Sequence, residues 1–202
     1  MIYGQIEIPD DEMTPKVRAA FGTLADENAL LRASLAEMRE HMAELEQLAD
    51  ADPLTPLANR RRFLRELERV VAQANRHGTS AAVIYLDLGN LKAINDRYGH
   101  FAGDAALIHV ANLLTGMIRI GDLAARIGGD EFALVLDHLD QQGAVDTAER
   151  IARTIAENPL DAGGAAIQLE ATVGTAAITR GDTLDDVLQR ADRNIYRAKA
   201  AG

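Results

Sequence analysis

Three acidic residues stand where the surrounding sequence predicts buried structure, and their chemistry suits a metal site. Asp87 ends an apolar run, while Asp130 and Glu131 lie between two further apolar segments. Mg²⁺ takes hard oxygen ligands and usually binds through one or two carboxylates plus the phosphates of a substrate. The adjacent Gly128 and Gly129 let a phosphate or a base approach the backbone closely. Taken alone, these residues also fit a plain hairpin turn with solvated acids.

The composition narrows the class of protein. The chain has 202 residues, of which 48% are hydrophobic, enough for one core and an extension. Its net charge of −10 argues against a nucleic-acid partner. No apolar run approaches the ~20 residues that cross a bilayer, and the N-terminus lacks the basic segment of a signal peptide. Without cysteine, disulfides and thiolate metal sites are excluded. We therefore expect a cytoplasmic protein that binds neither membranes nor nucleic acid.

Residues 1–50 carry a pattern typical of a tail followed by a coiled-coil helix. After an acidic lead-in, Thr14 and Pro15 predict a helix start, because threonine caps free amides and proline fits the first turn. Apolar residues then recur every seven positions, in the series Val17, Leu24, Leu31, Met38, Leu45 and the series Phe21, Leu35, Met42, Ala49. Asn28 interrupts the second series, which favours a parallel homodimer. The alternative is one amphipathic helix lying on its own domain.

Residues 51–202 are expected to form one further domain. The continuously apolar run 81–87 predicts a buried strand. Further strands are predicted over 123–127, 132–136, 166–170 and 172–178, and helices over 55–76, 102–118, 142–157 and 183–200. The strands on either side of Gly128 and Gly129 form a hairpin. Because strands and helices do not alternate strictly, we expect an α+β fold of palm or ferredoxin-like type. Its central sheet is mostly antiparallel, with helices on its faces.

Four motifs in this second domain resemble those of the GGDEF family of bacterial diguanylate cyclases. They are Asp52-Pro-Leu-Thr-Pro-Leu-Ala-Asn59-Arg60-Arg61, the segment from Asp87 to Asp104, Arg126-Ile-Gly-Gly-Asp-Glu-Phe132, and Ala191-Asp192-Arg-Asn-Ile-Tyr196-Arg-Ala-Lys199. One pentapeptide is a weak signal, whereas four motifs in the family's order are a strong one. The resemblance implies a nucleotidyl-cyclase-type fold and a Mg²⁺-dependent homodimer that condenses two GTP into cyclic di-GMP and pyrophosphate.

The resemblance also implies roles for individual residues. The implied metal ligands are Asp87, Asp130 and the backbone carbonyl of Leu88, holding Mg²⁺ (about two ions per GTP site, with Mn²⁺ as a substitute). The implied catalytic residues are Asp130, as the base for the ribose 3′-hydroxyl, Lys92 and Glu131. The implied GTP-binding residues are Asn95, His100, Asp104, Lys92, Lys199, Gly128 and Gly129. Each of these also fits an ordinary cap, turn or surface charge when it is considered alone.

A second site is implied upstream of the hairpin. Arg119-Ile-Gly-Asp122 resembles the family's Arg-x-x-Asp site, where the product binds and inhibits, and Arg150 matches a further arginine of that site. Arginine forks suit bidentate contacts with guanine and phosphate. The alternative is an ordinary ion pair at a helix end.

The chain departs from the family's pattern directly after Asp87. The family usually has Asp-x-Asp-x-Phe-Lys, where this chain has Gly89 and Leu91. The first aspartate remains, so metal binding is expected to survive. The competing hypothesis is a catalytically weak or inactive GGDEF protein that acts as a receptor or scaffold for cyclic di-GMP or GTP.

Overall fold

A computed structural model of the chain describes residues 14–162 and 166–201, with side chains except at 40, 43–49 and 201. Contacts within the chain divide it into two compact units, Met1–Ala49 and Asp50–Gly202. The acidic lead-in over residues 1–13 lies outside the described residues. No helix in the described part of the chain combines the length and apolar character that crossing a membrane requires.

The first unit is dominated by one long helix, α1 (Pro15–Asp50). Its predicted cap is confirmed, because the main-chain N–H of Val17 donates to Thr14 Oγ1 at 3.3 Å. The large apolar side chains of the heptad series that the structure describes are exposed from position 21 onward: Phe21, Leu24, Leu31, Leu35, Met38 and Met42. Leu45 and Ala49 lie outside the described side chains. These side chains form an apolar stripe along α1 that the described part of the chain leaves exposed.

The second unit is built on a five-stranded sheet in the order β1-β3-β4-β2-β7. The strands are β1 (Ala58–Asn59), β2 (Ala81–Leu88), β3 (Leu123–Arg126), β4 (Glu131–Asp137) and β7 (Ala171–Ile178). Two short strands, β5 (Leu160–Asp161) and β6 (Ala166–Ile167), form a separate pair. Strand β2 lies antiparallel to both β4 and β7, β3 is antiparallel to β4, and only β1 runs parallel to its neighbour. The α+β fold with a mostly antiparallel sheet is confirmed.

Helices cover both faces of this sheet, which separates two cores. They are α2 (Arg60–His77), α3 (Leu91–Tyr98), α4 (His100–Met117), α5 (Gln141–Glu157) and α6 (Leu184–Ala201). Alternate side chains of β2 enter different cores: Ile84 and Leu86 pack with α4 and α5, whereas Val83 and Tyr85 pack with α2 and α6. Since strand side chains alternate between faces, Asp87 lies on the same face as Tyr85.

The predicted start of the helix over 55–76 is wrong, because a different residue caps it. Helix α2 begins at Arg60, and Asn59 is its cap: the Asn59 side chain accepts the N–H of Arg62 at 3.1 Å. Thr55 instead belongs to a turn, in which its N–H and hydroxyl each donate to Asp52 Oδ1 at 2.8 Å. Asparagine is the better cap by type, and the Asp52 carboxylate holds Thr55 in the preceding turn.

The predicted strand over 166–170 is also too long, since β6 ends at Ile167. The side chain of Asn90 occupies the next backbone groups: its Nδ2 donates to the carbonyl of Gln168 at 2.8 Å, and its Oδ1 accepts the N–H of Glu170 at 3.4 Å. A side chain thus replaces a neighbouring strand here. The short helix α3 is absent from the sequence-based assignment.

Candidate active site

The end of β2 brings a partly buried carboxylate against a lysine from the last helix. Asp87 is the penultimate residue of β2, and its side chain is 11% exposed. Lys199, in the last turn of α6, places Nζ 2.7 Å from Asp87 Oδ2. Glu131, the first residue of β4, is the direct cross-strand partner of Asp87. Alternation along β4 puts the Glu131 side chain on the same face as that of Asp87.

The hairpin tip lies beside this strand end. The main-chain N–H of Leu88 donates to the carbonyl of Asp130 at 3.0 Å, and the N–H groups of Ile127 and Gly128 donate to the carbonyl of Glu131 at 2.9 and 3.3 Å. Asp130 is partly buried and Glu131 is exposed. The structure therefore brings Asp87, Leu88, Asp130 and Glu131 together at one edge of the sheet.

Arg126 fixes the hairpin tip, a contact that sequence reasoning missed. Its Nε and Nη2 donate to the carbonyl of Gly129 at 3.2 and 2.6 Å, and its Nη1 lies 3.5 Å from Asp52 Oδ1. Burial raises the pKa of the Asp52 carboxyl, but hydrogen bonds from Thr55 and the charge of Arg126 outweigh it and hold that pKa below its ordinary value. Arg126 thereby links Asp52, at the start of the second unit, to Gly129, the residue before Asp130.

The candidate guanine-binding residues lie on the helical pair α3 and α4. Asn95 on α3 is partly buried, and its side-chain amide lies against Gly103 of α4, where a Cβ atom would collide with it. His100 and Asp104 are exposed on the first turns of α4. Because Gly103 has no side chain, the Asn95 amide packs against α4 at the residue that precedes Asp104 in sequence. This need for glycine was not recognised in the sequence.

The two candidate phosphate-binding lysines occupy different places. Lys92 is exposed in the first turn of α3, directly after β2 and its turn, whereas Lys199 contacts Asp87 from α6. The structure thus places cations on two elements that flank the end of β2. Both lysine side chains are exposed to water, so a triphosphate can reach them.

The oxygen donors at this edge fit Mg²⁺. Within the described residues, no group of three or more His, Asp or Glu side chains is arranged to hold a metal ion. Asp87 and Asp130 supply two carboxylates, and Mg²⁺ commonly binds through one or two carboxylates while substrate phosphates and water complete its octahedron. Asp87 already contacts one positive charge, the ammonium of Lys199.

The second candidate site forms a small cavity between α4, β4 and α5. Arg119, Asp122 and Arg150 line the same cavity of about 60 Å³. The Asp122 carboxylate accepts the main-chain N–H of Arg119 at 3.0 Å and that of Asp137 at 3.3 Å. Asp122 therefore shapes the turn through backbone contacts, and both arginines face the cavity that it borders.

Comparison with known proteins identifies the family. The family model described as "Diguanylate cyclase, GGDEF domain" matches residues 49–202. The chain belongs to the GGDEF family. It is 35% identical over 162 residues to diguanylate cyclase DgcP of Pseudomonas aeruginosa, which covers 80% of this chain and 24% of that protein. It is 36% identical over 181 residues to diguanylate cyclase TpbB of the same organism, covering 89% and 41%.

Solved GGDEF structures share the fold. The coiled coil and GGDEF domain of DgcB from Caulobacter crescentus, in complex with c-di-GMP, align with a TM-score of 0.77 at 30% identity, covering 89% of this chain and 96% of that one. Diguanylate cyclase SiaD of Pseudomonas aeruginosa, in complex with its activator SiaC, gives a TM-score of 0.74 at 30% identity, covering 92% and 72%. The chain spans about a quarter to a half of the length of the curated relatives it matches.

Proposed function

We propose that this GGDEF protein is a diguanylate cyclase that converts two GTP into cyclic di-GMP and two pyrophosphates. In each step a ribose 3′-oxygen forms a bond to the α-phosphorus of the other GTP, and the bond from that phosphorus to pyrophosphate breaks. The observation that carries this proposal is the meeting of Asp87, Asp130 and Lys199 at the end of β2 in a chain of this family.

The residues at the strand end have separable tasks. Asp87, Asp130 and the carbonyl of Leu88 are suited to hold Mg²⁺, which, when bound, neutralises charge on the triphosphate and the leaving pyrophosphate. Lys92 and Lys199 stabilise charge on the phosphates. Asp130, partly buried at the hairpin tip and joined through its carbonyl to Leu88, accepts the proton of the 3′-hydroxyl, and Glu131 adjoins it.

The guanine edge is bound by groups of complementary hydrogen-bonding type. The Asn95 amide supplies both a donor and an acceptor, and the Asp104 carboxylate accepts from the N–H groups of guanine. His100, one turn before Asp104 on the same helix, adds a substrate contact. This arrangement favours guanine over adenine, whose Watson–Crick edge presents a different order of donors and acceptors.

Catalysis requires two copies of the chain, because one domain holds one GTP and each GTP attacks the other. The exposed apolar stripe of α1, with Asn28 among Phe21, Leu24, Leu31 and Leu35, suits a parallel coiled-coil dimer. Parallel pairing brings both GGDEF domains to the same end, and tethering raises their effective concentration. The related DgcB structure contains a coiled coil together with its GGDEF domain.

Product inhibition is the role that suits the second cavity. Arg119 and Arg150 present guanidinium forks that match the phosphates and guanine edges of cyclic di-GMP, and Asp122 holds the turn that carries Arg119. Titration of the purified protein with cyclic di-GMP is expected to lower its initial rate, and Arg119→Ala to remove that inhibition.

The receptor or scaffold hypothesis remains the second candidate, and Gly89 is the feature that favours it. The nearest heavy atom to a Cβ at this position is the carbonyl of Glu170 at 3.8 Å, so a side chain fits there. The structure therefore does not require glycine at position 89 for steric reasons, although the family usually has aspartate there. A protein that binds cyclic di-GMP yet releases no pyrophosphate from GTP would establish this candidate instead.

The catalytic assignment is tested by Asp130→Asn. Product formation from GTP and Mg²⁺ is expected to fall at least about 100-fold, since a positioned proton acceptor contributes on that order. The melting temperature is expected to stay unchanged, because the side chain is at a hairpin tip. Asp146→Asn, an exposed carboxylate on α5, is the matched control and should keep full activity. Near-normal turnover of the Asp130 variant would remove this residue from catalysis.

A further inference from the structure

The contact between Lys199 and Asp87 has a consequence for how the site takes up its ligands. The ammonium lies 2.7 Å from Oδ2, a hydrogen-bonding distance at which one oxygen is fully engaged. The two side chains differ in exposure, 44% for Lys199 and 11% for Asp87, so the carboxylate depends on the lysine more than the lysine depends on it. A largely buried carboxylate without a counter-ion is destabilising.

A divalent cation that binds Asp87 would compete with Lys199, because both are positively charged and would share one carboxylate. Glu131 lies directly across from Asp87 on the same face, so two acidic residues stand at the strand end, and the ammonium of Lys199 contacts Asp87. A divalent cation is attracted by this excess of negative charge. It is also repelled by an ammonium at contact distance, since like charges a few ångströms apart in a partly buried site interact strongly.

We infer that Lys199 is the resident counter-ion of Asp87 in the nucleotide-free chain, and that it leaves this carboxylate when Asp87 takes up a divalent cation. The inference rests on the proposed function for the identity of the metal ligand. Lys199 is then available to the triphosphate that arrives with the metal. The same side chain thus holds the empty site together and contacts the substrate in the loaded one.

This exchange links metal binding to nucleotide binding. A metal ion that binds alone must displace Lys199 into water, where the ammonium has no anionic partner. A metal ion that binds with GTP displaces the lysine onto phosphate oxygens. The affinity of each ligand is therefore raised by the other, as reciprocal coupling requires. The Lys199 side chain moves between these two states, so the last turn of α6 loses its contact with Asp87 when the metal binds alone.

The test measures Mn²⁺ binding to the nucleotide-free full chain by electron paramagnetic resonance. In Lys199→Met the dissociation constant of Mn²⁺ alone is expected to fall at least about threefold, because the competing cation is gone. The metal-free melting temperature is expected to fall at the same time and to recover when Mn²⁺ is added. Arg197→Met removes one positive charge from the same helix and is the control, with both quantities unchanged.

A second measurement needs no variant. Hydrogen exchange of the wild-type chain is expected to become faster in the last turn of α6 on addition of Mn²⁺ without nucleotide, and to slow again when a non-hydrolysable GTP analogue is added. Unchanged or weaker Mn²⁺ binding by Lys199→Met, or exchange in α6 that ignores Mn²⁺, would overturn the inference. Neither readout involves turnover, so a chain that makes no cyclic di-GMP would contradict the proposed function and leave this inference standing.

Discussion

Gly103 lies where α3 and α4 approach each other, and a side chain there would collide with the amide of Asn95. Gly103→Ala is therefore expected to displace that amide and weaken GTP binding by about tenfold, the loss of roughly one hydrogen bond to the base. ATP binding should change little, because Asn95 is assigned to the guanine edge. The measurement is the dissociation constant of each nucleotide by calorimetry.

Gly116, on the same helix α4, is the matched control. No heavy atom lies within 4 Å of a Cβ built at this position, so Gly116→Ala should leave GTP binding unchanged. It should also raise stability by up to about 1 kcal/mol, since alanine favours a helix over glycine. Equal losses of GTP and ATP affinity in Gly103→Ala would show that Asn95 does not read the base.

At the residue scale, sequence motifs predicted which side chains to examine but not what they contact. Asp87, Asp130 and Asn95 stand in ordered motifs, so their candidacy needed no structure. The role of Arg126 depends on Asp52, which is far from it in sequence, and on the carbonyl of Gly129, which carries no side-chain signal. Contacts of this kind leave no periodicity or spacing to detect.

At the scale of elements, the start of the second unit is held by Asp50, which carries a testable pH dependence. Its buried carboxylate accepts hydrogen bonds from Arg65, at 3.0 Å through Nη1 and at a shorter distance through Nη2, and from Arg61 at 2.9 Å. The hydrogen bonds of Arg65, followed by those of Arg61, outweigh burial and lower the pKa of the Asp50 carboxyl.

A lowered pKa means that Asp50 stabilises the fold above its unfolded value of about 3.9 and that this contribution disappears as pH falls through the folded value. Asp50→Asn is expected to lower the free energy of unfolding by about 1–3 kcal/mol at pH 7. The difference from wild type should be constant above about pH 5 and should shrink as the pH falls below about 4, toward the folded pKa. Denaturant melts at several pH values measure it. A constant difference would contradict the role of this charge.

The elements themselves were predicted where their core contribution is large. Strand β2 was evident because all eight of its residues are buried, which gives a continuous apolar run. Helix α3 was missed because, of its described residues, only Ile94 is buried, so it has almost no periodic pattern. The predicted start of α2 was wrong because Asp52 accepts the N–H of Thr55 in a turn. The predicted end of β6 was wrong because the Asn90 side chain donates to the carbonyl of Gln168.

At the scale of the whole molecule, the exposed stripe of α1 predicts that turnover depends on pairing. Replacing Leu31 and Leu35 by Glu should give a monomer that binds GTP normally but whose rate per chain rises with protein concentration. The wild-type rate per chain should be nearly flat over the same range. Sedimentation and pyrophosphate release measure the two properties.

The control for this pair is Ala19→Glu with Ala33→Glu, which adds the same charge to α1 away from both apolar series. That variant should remain dimeric and concentration-independent. A wild-type chain that sediments as a monomer at micromolar concentration, or a seam variant that is equally active when dilute, would contradict the tethering argument. Removing residues 1–49, which leaves Asp50 in place, should reproduce the variant with Leu31 and Leu35 replaced by Glu.

The stoichiometry of the reaction distinguishes a diguanylate cyclase from a receptor most directly. The purified chain is incubated with GTP and Mg²⁺, and cyclic di-GMP and pyrophosphate are quantified from the same samples over time. A diguanylate cyclase is expected to release two pyrophosphates for every cyclic di-GMP, with both products lowered at least about 100-fold in Asp130→Asn. Tight binding of added cyclic di-GMP with no pyrophosphate released from GTP would contradict it and would show that this GGDEF domain is a receptor.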